Sequence, residues 1–319
     1  MNNYYDFGGM KVSSSFKLNG LRPVETSMGR KIRSVCFMID HGALPDAAQP
    51  IFQWPGRYGM SLWSHEQDWL IKSSRTGSFL ISDEGRQIRC FPGGGTVEDD
   101  MGEFIARRLL PRLSIFHGGL AVHGASLSDG MGGFVFLGAS GSGKSTLTAT
   151  LHHKRGWDVF SDDISILHLD PHVKISPAST GVCLWRDSLS GLGLRADATK
   201  KLSAYKNKFV IETGDDTILT PKPVCACVLL KSFNGIDSGA GNVRIERIPS
   251  HAAFFHLWRQ LVRFNPSDHA MESFLCNNVG ALASAIPMYT LSYPRGYEKL
   301  DEVLNGIETF ARTLSGVNQ

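Results

Sequence analysis

Short apolar runs separated by Gly, Asp and Pro dominate the first 115 residues. They include "KIRSVCFMI", "QDWLIKSS" and "GSFLISDEGRQIRCFP". The last of these holds two apolar runs on either side of Asp83-Glu84-Gly85, which predicts a β-hairpin over 78–92 with those three residues as its turn. We therefore predict a smaller, β-rich N-terminal domain over residues 1–115, with substrate recognition as one role for it.

A helical spacing of apolar residues follows this region. Met101, Phe104, Ile105, Leu109 and Leu110 recur at helical intervals, and the acidic residues before them suit a helix N-terminus. The pattern predicts a helix over 101–115 that leads into a second domain.

From residue 116 onward, strand patterns alternate with helical ones. "GGLAVHGASLSDGMGGFVFLGASGSGKS" predicts strand, turn, strand, loop and helix, and "DVFSDDISILHLD" predicts an apolar strand that contains two aspartates. Further on, "VCACVLLK" predicts a strand, "HAAFFHLWRQLVRF" a helix, and "MYTLSYPRGYEKLDEVLNGI" a last strand and helix. This alternation predicts an α/β domain over 116–319.

The composition argues against several classes of partner but does not identify a function. The 319 residues carry a net charge of +3 and no run of five or six like charges, so we expect no nucleic-acid partner. No window of 18 apolar residues and no signal-peptide pattern occur, which favours a cytoplasmic protein with no membrane partner. Six scattered cysteines, including Cys225 and Cys227 on one side of a strand, favour reduced thiols over a metal site. A homo-oligomer stays open.

A glycine-rich loop carries the clearest chemistry. "GASGSGKS" matches the phosphate-loop pattern G-x-x-x-x-G-K-[ST] and lies between a predicted strand and a predicted helix. Such a loop points backbone N–H groups at the phosphates, its lysine bridges the β- and γ-phosphates, and its serine hydroxyl binds Mg²⁺. We therefore predict ATP and Mg²⁺ as cofactors; the alternative is a flexible Gly/Ser turn. The predicted nucleotide-binding residues are Gly138, Ala139, Ser140, Gly141, Ser142, Gly143, Lys144, Ser145 and Thr146.

Two adjacent carboxylates follow the loop. Asp162 and Asp163 lie 18 and 19 residues after Lys144 in an otherwise apolar strand, where burial without cations or donors would be costly. One carboxylate suits a Mg²⁺ ligand and its neighbour a general base. In a regular strand the two would point to opposite faces unless a bulge intervened, and the alternative is an Asp-Asp turn between two short strands.

A histidine precedes the loop. His123 lies in "LAVHGAS", and pairing of the flanking strands across "SDGMGG" would bring it beside the phosphate site. A lone histidine on a strand is otherwise an ordinary core residue.

The ordered combination of "VHGAS", "GASGSGKS" and "FSDD" resembles HPr kinase/phosphorylase, a bacterial protein serine kinase with a P-loop domain of the phosphoenolpyruvate carboxykinase type. The wider HPr-kinase-like set includes kinases that phosphorylate lasso-peptide precursors. The likeness to this wider set also takes in "GVCLWRDSL" and "MYTLSYPRGYEKLDEV", and so spans about residues 105 to 310. It implies an α/β P-loop kinase domain that phosphorylates a Ser or Thr hydroxyl of a peptide or protein.

The resemblance also implies roles for single residues. It makes His123 a catalytic-site histidine, Lys144 the phosphate-loop lysine, Asp162 the base, Asp163 a residue near the metal, and Asp187 a second acidic metal contact. The Pro-Gly-Arg-Asn segment that HPr kinases proper use for phosphorolysis is absent from the sequence. A precursor peptide, as in lasso-peptide biosynthesis, is therefore favoured over HPr as the acceptor.

Other readings of the same motifs stay open. The same loop, metal and base would serve a small-molecule hydroxyl kinase, and a P-loop ATPase or a nucleotide-sensing module would keep the loop without transferring phosphate to an acceptor. Several later basic residues are candidates for holding a phosphate or a substrate carboxylate: Arg186, Arg195, Lys206, Lys208 and Arg295. Arg295 in "YPRGY" is the first of them to test, because Pro and Gly shape the loop around it.

Overall fold

The computed structural model describes residues 2–25, 34–46, 49–195, 200–202, 205, 207–213, 219–233 and 243–315. The chain is a mixed α/β protein that divides into two compact units. The first unit comprises Met1–Ala121 and Val262–Leu275, and the second comprises Val122–Leu261 and Cys276–Gln319. The segment 262–275, which the sequence analysis assigned to the second domain, thus belongs to the first unit.

The first unit is built on one nine-stranded sheet with the order β3-β1-β2-β4-β9-β8-β7-β6-β5. The pairs β2/β4 and β4/β9 are parallel, and the others are antiparallel. Its strands are β1 (Asn3–Phe7), β2 (Met10–Ser14), β3 (Arg22–Pro23), β4 (Ser34–Ile39), β5 (Pro50–Gln53), β6 (Met60–His65), β7 (Asp68–Ser73), β8 (Gly77–Ser82) and β9 (Gln87–Pro92).

The predicted hairpin over 78–92 is confirmed, because β8 and β9 pair antiparallel around a short helical turn at Asp83–Gly85. The predicted helix is also present, but it begins at Glu98 as α1 (Glu98–Phe104). It continues through one π-helical turn at Ile105–Leu109 into α2 (Leu110–Leu113). Pro111 has no N–H to donate, which explains why the regular α-helical hydrogen bonding is interrupted there.

The second unit holds most of another nine-stranded sheet. Six strands and one helix come first along the chain: β10 (Leu120–His123), β11 (Ala125–Ser128), β12 (Gly133–Leu137), α3 (Lys144–Arg155), β13 (Asp158–Ser161), β14 (Ile164–His168) and β15 (Lys174–Ser176). A small antiparallel sheet of order β16-β18-β17 and α4 follow: β16 (Gly181–Trp185), α4 (Arg186–Gly191), β17 (Lys200–Lys201) and β18 (Lys208–Glu212).

The remaining elements complete the large sheet, whose order is β10-β14-β15-β19-β12-β11-β13, with β21 on β19 and β20 on β21. They are β19 (Lys222–Phe233), β20 (Arg244–Ile248), α5 (Ser250–Gln260), α6 (His269–Ala285), β21 (Met288–Pro294) and α7 (Leu300–Ser315). Helix α5 ends at Gln260, before the predicted end at Phe264, because Leu261 is extended and bridges to Val122.

Three neighbouring strands of this sheet run parallel. Strand β12 pairs parallel with β19, and β19 pairs parallel with β21. Their carboxyl ends, at Leu137, Phe233 and Pro294, therefore lie along one edge of the sheet. This is the edge at which α/β sheets bind their ligands.

Apolar side chains from the sheet and from two helices form the core under this edge. Phe134 and Phe136 of β12 are buried with Leu147 of α3 and Val303 of α7. The Phe134 ring also contacts Trp157, with centroids 5.3 Å apart. Each large side chain that is fully buried in this way contributes roughly 1.5–3 kcal/mol. The strand and helix on either side of the glycine-rich loop are thus held firmly.

The cysteine side chains and the lengths of the helices are the last features of the fold. All six cysteines are free thiols, and burial raises the pKa of the Cys227 thiol to about 12. Among the described residues, no helix has both the length and the apolar character needed to cross a bilayer.

Candidate functional site

The glycine-rich loop leaves the carboxyl end of β12 and enters α3 at Lys144. Gly138, Gly141 and Gly143 all have positive φ, a conformation that favours glycine. At Gly143 there is no room for a side chain either, because an added Cβ would lie 2.5 Å from the Tyr293 hydroxyl. That hydroxyl donates a hydrogen bond to the carbonyl of Ser142 and so fixes the loop to β21.

The glycine-rich loop and the start of α3 bring their positive charges together in the turn after Gly143. The first N–H groups of α3 have no partners within the helix and carry the positive end of its dipole, which makes the turn after Gly143 suited to an anion. Lys144 Nζ donates to the carbonyls of Gly138 at 2.7 Å and Ala139 at 3.1 Å. Burial lowers the pKa of Lys144, and the nearby charges of Asp163 and Asp162 oppose that shift.

Asp162 and Asp163 lie in a bend between β13 and β14 rather than inside a strand. The Ser161 hydroxyl closes the bend by donating to the carbonyl of Ile164. Both carboxylates line the same cavity as Lys144. The break in the strand is therefore what allows two neighbouring residues to face one site.

Asp162 is the buried member of the pair. Its Oδ2 accepts the Cys183 backbone N–H at 2.8 Å, and Ser145 lines the same cavity. Its Oδ1 is buried and has no hydrogen-bond partner among the described residues. Burial raises the pKa of Asp162 to about 6, and the charge of Asp163 adds to the rise.

Asp163 is the more accessible member and pairs with His123. Its Oδ1 lies 3.4 Å from His123 Nδ1, and the two side chains are 23% and 39% exposed. The backbone holds the pair in place, because Gly124 N–H donates to the Asp163 carbonyl at 3.0 Å and Ser165 Oγ donates to the Gly124 carbonyl at 3.0 Å. The predicted strand pairing across "SDGMGG" is present as β11 against β12.

These groups surround a cavity of about 180 Å³. Most of the residues predicted from the sequence line it: His123, Ser140, Gly141, Gly143, Lys144, Ser145, Thr146, Asp162 and Asp163. Gly138, Ala139 and Ser142 complete the loop, two of them through their contacts with Lys144 and the third through Tyr293. The glycine-rich loop, its lysine, two carboxylates and a histidine therefore line one cavity.

Three predicted residues lie elsewhere. Asp187 is exposed on α4 and is not among the residues that line this cavity, and no group of three His, Cys, Asp or Glu side chains within the described part of the chain could hold a metal. Arg195 is exposed beyond α4 and lines neither this cavity nor its neighbour. Arg295 lines the neighbouring cavity, on the other side of the loop, where its Nε donates to Ser232 Oγ at 3.0 Å.

Sequence reasoning missed four residues that line the cavity: Cys183, Leu184, Trp185 and Ser188. Lys208, one of the predicted basic candidates, also lines it, Arg186 does not, and Lys206 lies outside the described residues. Trp185 and Lys208 face each other as partners of the β16–β18 ladder, so the pairing that places them joins distant parts of the chain. Cys183 contributes a backbone N–H, which no side-chain pattern reveals. The one local signal was "GVCLWRDSL", which precedes and opens α4 and also carries Ser188.

No protein-family model matches the chain, and no curated protein matches it. Among solved structures, it is similar to the HPr(Ser) kinase/phosphatase from Coxiella burnetii. The two are 14% identical with a TM-score of 0.32, and the match covers 60% of this chain and 98% of that one.

Proposed function

We propose that this protein is a Mg²⁺-dependent phosphotransferase that moves the γ-phosphoryl group of ATP to a Ser or Thr hydroxyl of a peptide or protein. One observation carries the proposal: the phosphate loop, its lysine, both aspartates and His123 line a single cavity. A loop alone suits any nucleotide-binding protein, whereas an added carboxylate–histidine pair supplies a proton acceptor that simple binding does not need.

The loop binds the phosphates. The N–H groups at the start of α3 and the Lys144 ammonium provide donors for the β- and γ-phosphate oxygens. Lys144 Nζ exchanges its contacts with the carbonyls of Gly138 and Ala139 for phosphate oxygens. Because these donors are held by the loop before the reaction, they stabilise the negative charge on the transferring group at little reorganisation cost.

Asp162 and Ser145 fit a Mg²⁺ ion. The buried Asp162 Oδ1 has no hydrogen-bond partner among the described residues, and Ser145 lines the same cavity. Mg²⁺ in nucleotide sites takes one or two carboxylates and completes its shell with phosphate oxygens and water, so a cluster of three acidic side chains is not required. When bound, the ion neutralises charge on the β- and γ-phosphates.

Asp163 and His123 suit the proton transfer. We assign the general base to Asp163, and this differs from the role that the family resemblance implied for Asp162. The reason is access: Asp162 is buried and bonded to the Cys183 N–H, whereas Asp163 is partly exposed beside His123. His123 acts as a positioning residue that orients the Asp163 carboxylate.

The acceptor hydroxyl oxygen forms a bond to the γ-phosphorus, the bond from that phosphorus to the β–γ bridging oxygen breaks, and ADP leaves with the electron pair. The hydroxyl proton passes to the Asp163 carboxylate. Lys144 and the loop amides hold the charge that moves onto the β-phosphate.

The resemblance to HPr-kinase-like proteins supports a peptide or protein as the acceptor, with a biosynthetic precursor peptide such as a lasso-peptide precursor as our specific candidate. The rim of the cavity is compatible with this class. Trp185 is 48% exposed there and Lys208 lies 5.9 Å from the centre of its ring, so an aromatic surface and a cation flank the entrance.

Incubation with γ-labelled ATP, Mg²⁺ and a library of peptides that contain Ser or Thr tests the proposal. We expect label on a peptide, lost with Lys144→Ala and when Mg²⁺ is chelated. Label that appears only as free phosphate would support an ATPase instead, and label on free glycerol or sugars but on no peptide would support a small-molecule kinase.

A further inference from the structure

A second cavity adjoins the phosphate loop and has no role in the chemistry described above. It encloses about 290 Å³, close to the lower end of the range for small-molecule sites, which runs from roughly 300 to 1,000 Å³. Its walls come from the loop, from α4, and from the segment that follows β21.

The two cavities share part of the loop. Gly141, Gly143, Thr146 and Ser188 line both, and Thr146 Oγ1 donates to Ser188 Oγ at 3.3 Å on their common border. A ligand whose phosphates lie on the loop can therefore extend from the first cavity into the second without leaving the protein surface.

The carboxyl ends of the parallel strands explain why the second cavity lies here. Ser232 near the end of β19 and Pro294 at the end of β21 both line it, beside the loop that follows β12. Ligands of α/β sheets bind outside the carboxyl ends of adjacent strands, so one molecule spanning this edge is the expected arrangement.

Flat surfaces line the second cavity. Tyr297 is 44% exposed, and its ring packs on Gly191 so closely that an added Cβ there would lie 2.3 Å from the ring. The Tyr297 hydroxyl donates to the Asp187 carbonyl at 3.3 Å, which fixes the ring to α4. Arg295 adds a planar guanidinium anchored to Ser232. A ring held in this way and a planar cation are the groups on which a nucleobase stacks.

From these observations we infer that the second cavity binds the nucleoside part of the nucleoside triphosphate, with the base on Tyr297 and Arg295 beside it. The inference rests on the proposed function, since it takes the triphosphate to lie on the loop. It gives Arg295 a role toward the nucleotide rather than toward the acceptor. It also gives Asp187 a role through its backbone carbonyl, which holds the Tyr297 ring in place, and not through its carboxylate.

Binding measurements with two ligands test this assignment. The dissociation constants of Mg·ATP and of Mg·tripolyphosphate, which has the phosphates without the nucleoside, are measured by calorimetry for the full chain. The variants are Tyr297→Ala, Tyr297→Phe, and Tyr4→Ala as a control that removes an exposed tyrosine from the first unit.

We expect the wild-type protein to bind ATP more tightly than tripolyphosphate. Tyr297→Ala should weaken ATP binding about tenfold or more and leave tripolyphosphate binding unchanged, as loss of one stacking contact predicts. Tyr297→Phe keeps the ring and should bind ATP within about twofold of wild type, as should Tyr4→Ala.

Equal affinities of the wild-type protein for the two ligands would overturn the inference. An equal loss of affinity for both ligands in Tyr297→Ala would also overturn it, because that pattern indicates damage to the loop and not the loss of a base contact. The phosphotransferase proposal is judged separately: a selective loss of ATP in Tyr297→Ala with no peptide labelled by the wild type would leave the nucleoside site standing and reject the kinase.

Discussion

His123 Nδ1 lies 3.4 Å from Asp163 Oδ1, and both residues line a cavity that the glycine-rich loop also lines. His123 is the last residue of β10, just before a bend at Gly124, and Asp163 lies in the bend between β13 and β14. On the proposed mechanism, this pairing leaves Asp163, rather than the buried Asp162, to meet an acceptor hydroxyl.

His123→Ala should lower kcat for peptide phosphorylation by about 10- to 100-fold while changing the KM for ATP little. The reason is that His123 orients the base and does not touch the phosphates. His123→Asn, which places an amide N–H near the position of Nδ1, should recover part of the rate. Steady-state kinetics on the labelled peptide check this. An unchanged kcat, or a rise in KM for ATP as the main effect, would contradict the positioning role.

Lys144→Ala should weaken both nucleotide affinity and turnover, with kcat falling by roughly 10²–10³-fold, because the ammonium stabilises charge on the transferring group. Calorimetry gives the affinity and label transfer gives the rate. Lys222→Ala, which removes a partly exposed lysine that contacts the Gly130 carbonyl, is a matched control expected to match the wild type. Near-normal transfer by Lys144→Ala would contradict the assignment of the loop to the γ-phosphate.

Asp162→Asn should change how stability depends on pH when nucleotide and Mg²⁺ are absent. Burial raises the pKa of Asp162 from 3.8 to about 6, so the folded protein holds this proton more tightly than the unfolded chain does. The stability that the group contributes is present below about pH 4 and is lost as the pH rises through about 6. The difference between the folded and unfolded pKa values of Asp162 corresponds to about 3 kcal/mol of stability, at about 1.4 kcal/mol per pKa unit.

An asparagine at position 162 does not titrate. The free energy of unfolding of Asp162→Asn should therefore rise relative to that of the wild type between pH 4 and pH 7. Urea unfolding at several pH values measures the difference. Asp301→Asn, which removes an exposed carboxylate on α7, is the control and should track the wild type apart from its contact with Lys154. If the free energies of unfolding of the wild type and Asp162→Asn change with pH in parallel, Asp162 does not have the raised pKa.

Gly143→Ala should distort the loop. An added Cβ would meet the Tyr293 hydroxyl at 2.5 Å, and φ is +92° at this position, so we expect a loss of about 1–3 kcal/mol in stability and a marked loss of ATP affinity. Gly280→Ala on α6 has open space around it and is the matched control, expected to be neutral or slightly stabilising. Thermal unfolding and calorimetry compare the two. Full ATP affinity in Gly143→Ala would contradict the tight fit of the loop against β21.

The features predicted from sequence are those that local physics determines. The loop between β12 and α3 and the hairpin around Asp83–Gly85 depend on glycines, a turn and short apolar runs that lie next to each other in the chain. The pairing of β11 with β12 across a short turn is equally local, and it brings His123 near the loop. These elements required no knowledge of distant contacts.

What the sequence could not predict depends on long-range pairing. Trp185 and Lys208 reach the cavity because β16 pairs with β18, and Tyr293 reaches the loop because β21 joins the sheet beside β19. The different burial of Asp162 and Asp163 depends on the Cys183 amide and on the bend that Ser161 closes. For this reason the roles of the two carboxylates could not be separated by spacing alone.

The most direct test of the proposed mechanism is single-turnover transfer of label from saturating γ-labelled Mg·ATP to the peptide acceptor, compared between Asp163→Asn and wild type. We predict that Asp163→Asn binds Mg·ATP within about threefold of wild type but transfers label about 10²–10⁴-fold more slowly, as loss of a general base requires. Transfer by Asp163→Asn at a rate near that of wild type, with Mg·ATP bound normally, would contradict the mechanism.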